Sequence, residues 1–462
     1  MNRFISKYLI WYPAFLLRGQ KVRSGIKFFQ KTQYYDRDQL REFQFGKMKE
    51  QITFAYEHIP FYQDKYNEAM VHPDDIRSPD DLGKIPILTK EEISKHSNAI
   101  SNSHHRYPGW KFRRSTSGST GMPLVFYKDS LSMGIMDAIL YRNYSWLGIK
   151  IGYRQARFWG HPLTPRGLLK TRLTDRTLNR VRLSPFRLED KTYRLYLEEI
   201  ERFRAQYVYG YAQSVFQFAR YFHRKGMRLS HLRLKGVILT GEVIFPEQLK
   251  IIRQVFACEV SEEYGCTEVG VIGFRDGNEN MHLMENLLVE SVHNFEDGTS
   301  GNLIVSELYG KFFPFIRYQI GDRGSIVHKK CSCGRSLPIL ENISGRKDEY
   351  IRCSDGRLVD PYVLEYIINE MPVSYGRIYQ FKIIFIKDEK HLRVSLIAEK
   401  FFNKIRNHIR NEFGKYLTAD MRISICFVSK LERDLSGKQR CFISKDTEKT
   451  VNDEKELMWR AG

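Results

Sequence analysis

The sequence predicts an α/β protein with a large N-terminal domain, whose mixed β-sheets are layered with helices, and a small C-terminal α+β domain. Three observations carry that expectation. Between about residues 112 and 330, short strand-like runs alternate with helical ones, the pattern of a largely buried sheet covered by helices. After "SGRKDEYI" (344–351) the order becomes helix, strand, strand, helix over about 100 residues, an ordinary size for a separate domain. Hydrophobic residues make up 42% of the 462, enough for a sizeable core and against global disorder.

The elements follow in chain order. "MNRFISKYLIWYPAFLLRGQ" is apolar and aromatic with basic flanks. Lys7 and Pro13 interrupt it and no small-residue cleavage site follows, so a signal peptide is not expected. Two readings stand: a helix packed on the body, which is preferred, or a segment on a membrane surface with Trp11, Tyr12 and Phe15 at the headgroups. Residues 36–69 are charged, with apolar residues three and four apart, and predict helix. Pro73 and Pro79, each followed by acids, mark short capped turns. "VILTGE", "EVSEEYG", "GNLIVSEL" and "GSIVHK" read as strands, whereas "KTYRLYLEEIERFRAQ" and "FPEQLKIIRQVFA" read as helices. In the small domain, helices "YVLEYIINEM" and "FFNKIRNHIRNEFGKYL" flank strands "FKIIFIKD" and "HLRVSLIAE". The final "DTEKTVNDEKELMWRAG" reads as a solvated tail. The expected division is 1–345 for an N-terminal domain, 346–445 for a mobile C-terminal domain and 446–462 for the tail.

Lys and Arg outnumber Asp and Glu 74 to 54, a net charge of +20. Anionic partners follow: nucleotides, acidic sugars, an acidic membrane face or nucleic acid. The basic residues are spread along the chain, which argues against a dedicated nucleic-acid arm. Seven cysteines in this length do not make a disulfide framework, so a reduced, cytoplasmic setting is expected. No apolar run reaches the roughly 18 residues of a membrane span.

The run "RRSTSGSTGMPLVFY" (113–127) sets hydroxyls and glycines at the edge of an apolar strand. Such a loop presents N–H and O–H donors in a concave array that suits phosphate. No Gly-Lys-Ser/Thr follows Gly121, so it is not the common P-loop. Five further motifs follow in order: "TGE" (240–242), "EYGCTE" (263–268), "RYQIGDRG" (317–324), "SGRKDEYI" (344–351) and "ERDLSGKQR" (432–440).

This ordered set resembles the adenylate-forming superfamily of acyl-CoA synthetases, luciferases and adenylation domains. The closest likeness is to its phenylacetate–CoA ligase-like branch, and within that to proteins of capsular polysaccharide biosynthesis. "HIPFYQDKYNEA" and "IRSPDDLGKIPILTKEEI" are similar to the opening of that branch, and the resemblance spans roughly residues 40–445. It implies the adenylate-forming enzyme fold and an AMP-forming ligase. Such an enzyme uses ATP and Mg²⁺ to make an acyl-adenylate and passes the acyl group to CoA or to an amine or hydroxyl on a sugar or amino acid. Both reactants are anionic, so charge must be neutralised where they meet.

The resemblance assigns Ser115, Thr116, Ser117, Gly118, Ser119, Thr120 and Gly121 to the outer phosphates of ATP. Leu124 stands after Pro123 where the family often has lysine, so that grip lacks one cation. Glu242 is the adenine-side residue, Tyr264 lies against adenine next to Gly265, Thr267 holds the α-phosphate, and Glu268 binds Mg²⁺ through a hard oxygen. Asp322 and Arg346 contact the ribose, and Asp348 is the hinge. Lys438 is the mobile catalytic lysine, its long stem suited to reach both carboxylate and phosphate.

"KKCSCGRSLPIL" holds Cys331 and Cys333, which in this branch can join a Cys and a His on Zn²⁺. His282 matches the histidine. The upstream cysteine is missing, which leaves two readings: Asp276 as the candidate fourth ligand, or a vacant site. "RFWGHPL" and "YVYGYAQSVFQFA" border the acyl pocket by resemblance, with Tyr211 and His161 as substrate-side candidates. The alternative activity class is a catalytically degenerate nucleotide-binding protein of the same fold. A nucleic-acid-binding protein is the other rival, and steep loss of binding with salt, indifferent to ATP, would mark it.

Overall fold

The computed structural model describes residues 2–101, 109–115, 124–160, 165–184, 190–292, 300–344, 351–355, 358–359, 361–369, 371, 373–375, 378–399, 402–431 and 441–445. Contacts divide the chain into two compact units, Met1–Ser344 and Gly345–Gly462.

The first unit opens with α1 (Arg3–Ile5), a π-helical turn Ser6–Trp11 and α2 (Tyr12–Leu17), followed by α3 (Val22–Thr32). Then come α4 (Arg37–His58) and α5 (Pro60–Glu68). Asp36 and Gln39 cap α4 reciprocally, and Pro60 begins α5, where its missing N–H costs nothing. The turns at Pro73–Asp75 and Pro79–Lys84 are 3₁₀ and capped by side chains. α6 (Lys90–Ile100) precedes the hairpin β1 (Lys111–Ser115) and β2 (Val125–Asp129). That hairpin is a sheet of its own, although Phe126 and Leu124 are buried in the unit's core.

α7 (Ser130–Tyr144) leads into a βα alternation. It runs β3 (Gln155–Phe158), α8 (Pro165–Thr177), β4 (Arg180–Leu183), α9 (Asp190–Phe203), β5 (Tyr207–Tyr211), α10 (Ala212–Arg224), β6 (Val237–Thr240), α11 (Pro246–Phe256) and β7 (Val260–Cys266). These five strands pair in parallel in the order β4-β3-β5-β6-β7. Beyond β7 the alternation predicted up to residue 330 stops. β8 (Gly270–Arg275), β9 (Met281–Leu283), β10 (Leu287–Val292), β11 (Gly301–Glu307), β12 (Tyr318–Val327) and β13 (Ile339–Ser344) pair antiparallel. The links from β7 to β8 and from β8 to β9 are too short for a helical crossover. The result is one eleven-stranded sheet, parallel in one half and antiparallel in the other.

Strand alternation sends side chains of the parallel half to two cores. Ala156, Phe158 and Val208 join Phe218, Phe222, Ile252 and Phe256 of the α10 and α11 layer. Tyr207, Tyr209 and Ile238 join Trp11, Phe15, Phe29, Ala138 and Tyr144 on the opposite face. The aromatic N-terminus therefore packs on the body through Trp11 and Phe15, the preferred one of the two expectations. Met48, Ile52, Tyr62 and Tyr66 of α4 and α5 cover the antiparallel half with Phe313, Phe315 and Tyr318.

The second unit begins with β14 (Ile351–Arg352) and β15 (Leu358–Val359), then α12 (Pro361–Asn369), β16 (Ile378–Ile386), β17 (His391–Ala398) and α13 (Phe402–Phe413). β18 (Arg422–Phe427) and β19 (Phe442–Lys445) complete a four-stranded sheet in the order β18-β17-β16-β19. Ile405, Ile409 and Phe413 of α13 bury against its alternate positions, including Ile383, Leu392 and Val394. No helix among the described residues is long and apolar enough to cross a membrane.

Candidate active site

Open α/β sheets bind ligands beyond the carboxyl ends of their parallel strands, where the strand pattern changes. Here that edge carries Tyr211 at the end of β5, Thr240 at the end of β6 and Tyr264 to Cys266 at the end of β7, beside the switch to antiparallel β8. Thr240 pairs with Glu263 across β6 and β7, which sets "TGE" beside "EYGCTE".

Two hydrogen bonds then tie "EYGCTE" to "RYQIGDRG". Tyr264 donates its hydroxyl to Asp322 Oδ2 at 2.7 Å, and Tyr318 donates to Glu268 Oε1 at 3.2 Å. Glu268 is buried, 7% exposed, so its carboxylate depends on such partners. Thr267 lies in the turn between β7 and β8. At Gly265 an added Cβ would run into the carbonyl oxygen of Gly270, so only glycine permits this crossing of strands. Glu242 accepts from the backbone N–H of Gln213 at 2.9 Å, in the first turn of α10, where a negative charge is favoured.

Ser115 is exposed at the end of β1, paired with Val125. Beside it stands Arg114, whose Nε has no hydrogen-bond partner among the described residues. Burial lowers its pKa, and the carboxylates acting on it are Asp137 and Glu268. Burial also pushes the Asp137 carboxyl up to about 6, against the hydrogen bond from Gln20 and the pull of Arg114, Arg180 and Arg18. A guanidinium on the strand that enters the hydroxyl-rich loop thus feels the Glu268 carboxylate.

An aromatic wall lies along the same edge. Tyr211 is buried, and its ring stacks on Trp159 at 4.2 Å and 21°. Arg157 sits above Trp159, its Cζ 4.4 Å from the ring centre. Glu263 accepts from Tyr209 at 3.1 Å and Tyr144 at 3.2 Å, and burial pushes its carboxyl up to about 7. The wall is built of stacked aromatic rings with a few polar groups among them.

Asp276, His282, Cys331 and Cys333 form a separate cluster whose ligand atoms all lie within 4.8 Å of one another. Nε2 of His282 is 3.1 Å from Asp276 Oδ2 and 3.4 Å from Cys333 Sγ, and Cys331 Sγ is 3.2 Å from Asp276 Oδ2. Burial opposes charge on Asp276, but hydrogen bonds from Cys331, Asn280 and His282 outweigh it and hold the carboxyl at about 2. Two sulfurs, one imidazole and one carboxylate at such spacing fit a closed tetrahedral zinc site. Thr116, Ser117, Gly118, Ser119, Thr120, Gly121, His161, Arg346, Asp348 and Lys438 lie outside the described residues.

The chain superposes on a 2-hydroxyisobutyryl-CoA ligase solved in its postadenylation state with an acyl-AMP. The TM-score is 0.69 at 17% identity, over 92% of this chain and 93% of that one. The fold is that of the adenylate-forming enzymes. In sequence the chain is similar to a phenylacetate–coenzyme A ligase of Thermus thermophilus, 24% identical over 84% of this chain and 87% of the other. It is also similar to the protein CapK of Staphylococcus aureus, 21% identical over 79% and 80%. These relatives accord with the resemblance to the phenylacetate–CoA ligase-like branch. No family model matches the chain.

Within this adenylate-forming fold, four residues of the edge escaped the sequence reading. Arg114 precedes the hydroxyl-rich loop in "RRS", a basic flank passed over because the family cation is sought after the loop. Tyr318 is in "RYQIGDRG" itself but was eclipsed by Asp322. Glu263 and Trp159 carried no signal beyond membership of quoted segments, since their partners lie 54 and 52 positions away.

Proposed function

We propose that the protein is an ATP-dependent carboxylate-activating ligase that forms an acyl-adenylate. The observation that carries this reading is the meeting of Tyr264 with Asp322 and of Tyr318 with Glu268 at the carboxyl edge of the sheet. In the first step a carboxylate oxygen attacks the α-phosphorus of ATP, the bond to the bridging oxygen breaks, and pyrophosphate leaves with the electron pair. In the second, a thiol, amine or hydroxyl attacks the acyl carbon, AMP leaves, and the acceptor's proton passes to solvent.

The loop from Ser115 to Gly121 grips the outer phosphates, Glu242 and Tyr264 flank adenine, and Asp322 and Arg346 hold the ribose. Thr267 orients the α-phosphate, and Asp348 is the pivot of the small domain. Glu268 holds Mg²⁺, which when bound neutralises phosphate charge. Arg114 supplies a cation on the side where Leu124 replaces the family lysine, and Lys438 supplies the ammonium at the reacting oxygens. Tyr211 and His161 border the acyl group. CoA is one acceptor, and an amine or hydroxyl of a sugar or amino acid is the other. The resemblance to polysaccharide-related proteins, with CapK among the relatives, supports a place in surface polysaccharide biosynthesis, in the cytoplasm at the inner membrane face. The alternative of a binding protein without turnover draws on Leu124, and Arg114 beside Glu268 weakens it.

The test is pyrophosphate release from ATP across a panel of carboxylic acids. At least one acid is expected to raise the rate well above the acid-free level. Lys438→Ala is expected to lower it by roughly 10²-fold, as loss of a charge-stabilising donor does elsewhere. Binding of ATP with no acid-dependent release would favour the alternative.

We also infer that Asp276, His282, Cys331 and Cys333 hold Zn²⁺, which when bound fixes the turn that carries both cysteines. Protein purified without chelator is expected to carry about one zinc per chain, and Cys331→Ser/Cys333→Ser to carry almost none. Metal analysis that finds no zinc in the parent chain, before or after zinc addition, would refute it.

A further inference from the structure

The N-terminal helical segment is apolar on two sides. Trp11 and Phe15 bury one side in the core. The other side is open: Phe4 is 64% exposed, Leu9 70%, Leu16 70% and Leu17 79%. Positions 4, 8, 12 and 16, and likewise 5, 9 and 17, recur at helical spacing, so they form one stripe along the segment.

The stripe continues onto other elements. Ser130 donates its hydroxyl to the carbonyl of Arg18 and accepts from the backbone N–H of Trp110 at 2.7 Å. That junction sets Trp110, 58% exposed, and Leu131, 48% exposed, beside the Leu16–Leu17 end. Exposed apolar residues from three separate parts of the chain thus meet at one junction.

The charge around it has a single sign. The first 35 residues hold seven Lys and Arg and no Asp or Glu. Arg23, Lys27 and Lys31 are exposed on α3, each four residues from the next. Lys7 and Arg23 lie over the ring of Tyr12, with Nζ and Cζ at 5.5 and 5.8 Å from its centre, so the cations border the apolar stripe directly. An exposed apolar ridge bordered by cations matches a bilayer whose headgroups are anionic. Leu, Phe and Trp enter the headgroup boundary, and Lys and Arg meet the phosphates. A second copy of this chain would bring like charges together. No described helix is long and apolar enough to span a bilayer, so the binding in question is at the surface.

We propose that this face docks the protein on an anionic lipid surface. The proposal rests on the N-terminal face alone and is independent of the ligase reading. The test is co-sedimentation of the full chain with phosphatidylcholine vesicles, with and without phosphatidylglycerol. Binding is expected only when phosphatidylglycerol is present, and it should weaken as salt shortens the screening length. Leu16→Ser/Leu17→Ser should cut the binding constant by at least about tenfold, since two exposed leucines leave the lipid. Arg23→Glu/Lys27→Glu should do the same by reversing two charges, a change of four units. All of these side chains are exposed, so the melting temperature should not move. Failure to bind phosphatidylglycerol vesicles, or binding that both double variants leave intact, overturns the proposal. So does a dimer, seen by light scattering, that the leucine variant abolishes while vesicles bind nothing.

Discussion

Glu268→Gln is expected to lower acid-dependent pyrophosphate release by roughly 10²- to 10³-fold, the loss that follows removal of one preorganised electrostatic partner. The change keeps volume and leaves an oxygen to accept from Tyr318, which lies 3.2 Å away in the parent chain. It removes only the charge. A neutral amide is a poor ligand for a hard divalent cation, so the Mg²⁺ concentration at half-maximal rate should rise along with the fall in rate. Arg114 adds to the effect. Asp137 and Glu268 are the carboxylates acting on its half-buried guanidinium, and losing one leaves a larger uncompensated positive charge. ATP binding without Mg²⁺ should change little, because Tyr264 and Asp322 keep their mutual hydrogen bond. A loss smaller than about tenfold, with an unchanged Mg²⁺ requirement, would remove Glu268 from the proposed machinery.

The site was legible in the sequence where a motif is its own signal. "EYGCTE" and "RYQIGDRG" were quotable without knowing where the chain runs, and the sheet brings them together through Tyr264–Asp322 and Tyr318–Glu268. The cluster of Asp276, His282, Cys331 and Cys333 was legible for the same reason: ligand chemistry is written in residue type. Arg114 was not, because nothing local distinguishes a cation that faces Glu268, 154 positions away, from an ordinary surface arginine. The aromatic wall of Trp159, Tyr209 and Tyr211 was legible only as apolar text, since stacking at 4.2 Å depends on the parallel register of β3 and β5. Helices and strands followed their periodicity. The switch of the sheet from parallel to antiparallel did not, because strand direction is set by the length of the links and not by the strands. That β1 and β2 form a sheet of their own was not legible either: Phe126 is as buried as a central strand residue, yet it belongs to a separate pair of strands.

Removing the carboxylate of Glu285 is expected to destabilise the first unit by about 3–5 kcal/mol, the cost of stranding one half of a buried ion pair. Arg142 and Glu285 are both fully buried. The guanidinium grips the carboxylate with two bonds, Nη1 to Oε1 at 2.8 Å and Nη2 to Oε2 at 2.7 Å. Nη1 also donates to the carbonyl of Phe29 at 3.0 Å, and Thr32 donates its hydroxyl to Glu285 Oε1 at 2.8 Å. One pair therefore fastens α3 and α7 to the turn after β9. In Glu285→Ala the cation stays buried with no opposite charge, and among the described residues its remaining partners, Asn143, the Phe29 carbonyl and Met284, are neutral. Replacing both partners by methionine removes that stranded charge, so the double variant should lose much less than the single one. Urea unfolding followed by tryptophan fluorescence reads the right unit, because Trp146 stacks near Arg142, 5.2 Å from its Cζ to the ring centre. A single variant that costs under about 1 kcal/mol would mean that water or a shifted side chain meets the guanidinium instead, and that the pair does not hold these elements together. If the loss appears as expected, acid-dependent activity should fall with the folded fraction and not before it. α7 carries Tyr144 to Glu263, and that hydroxyl keeps its place only while the helix stays docked.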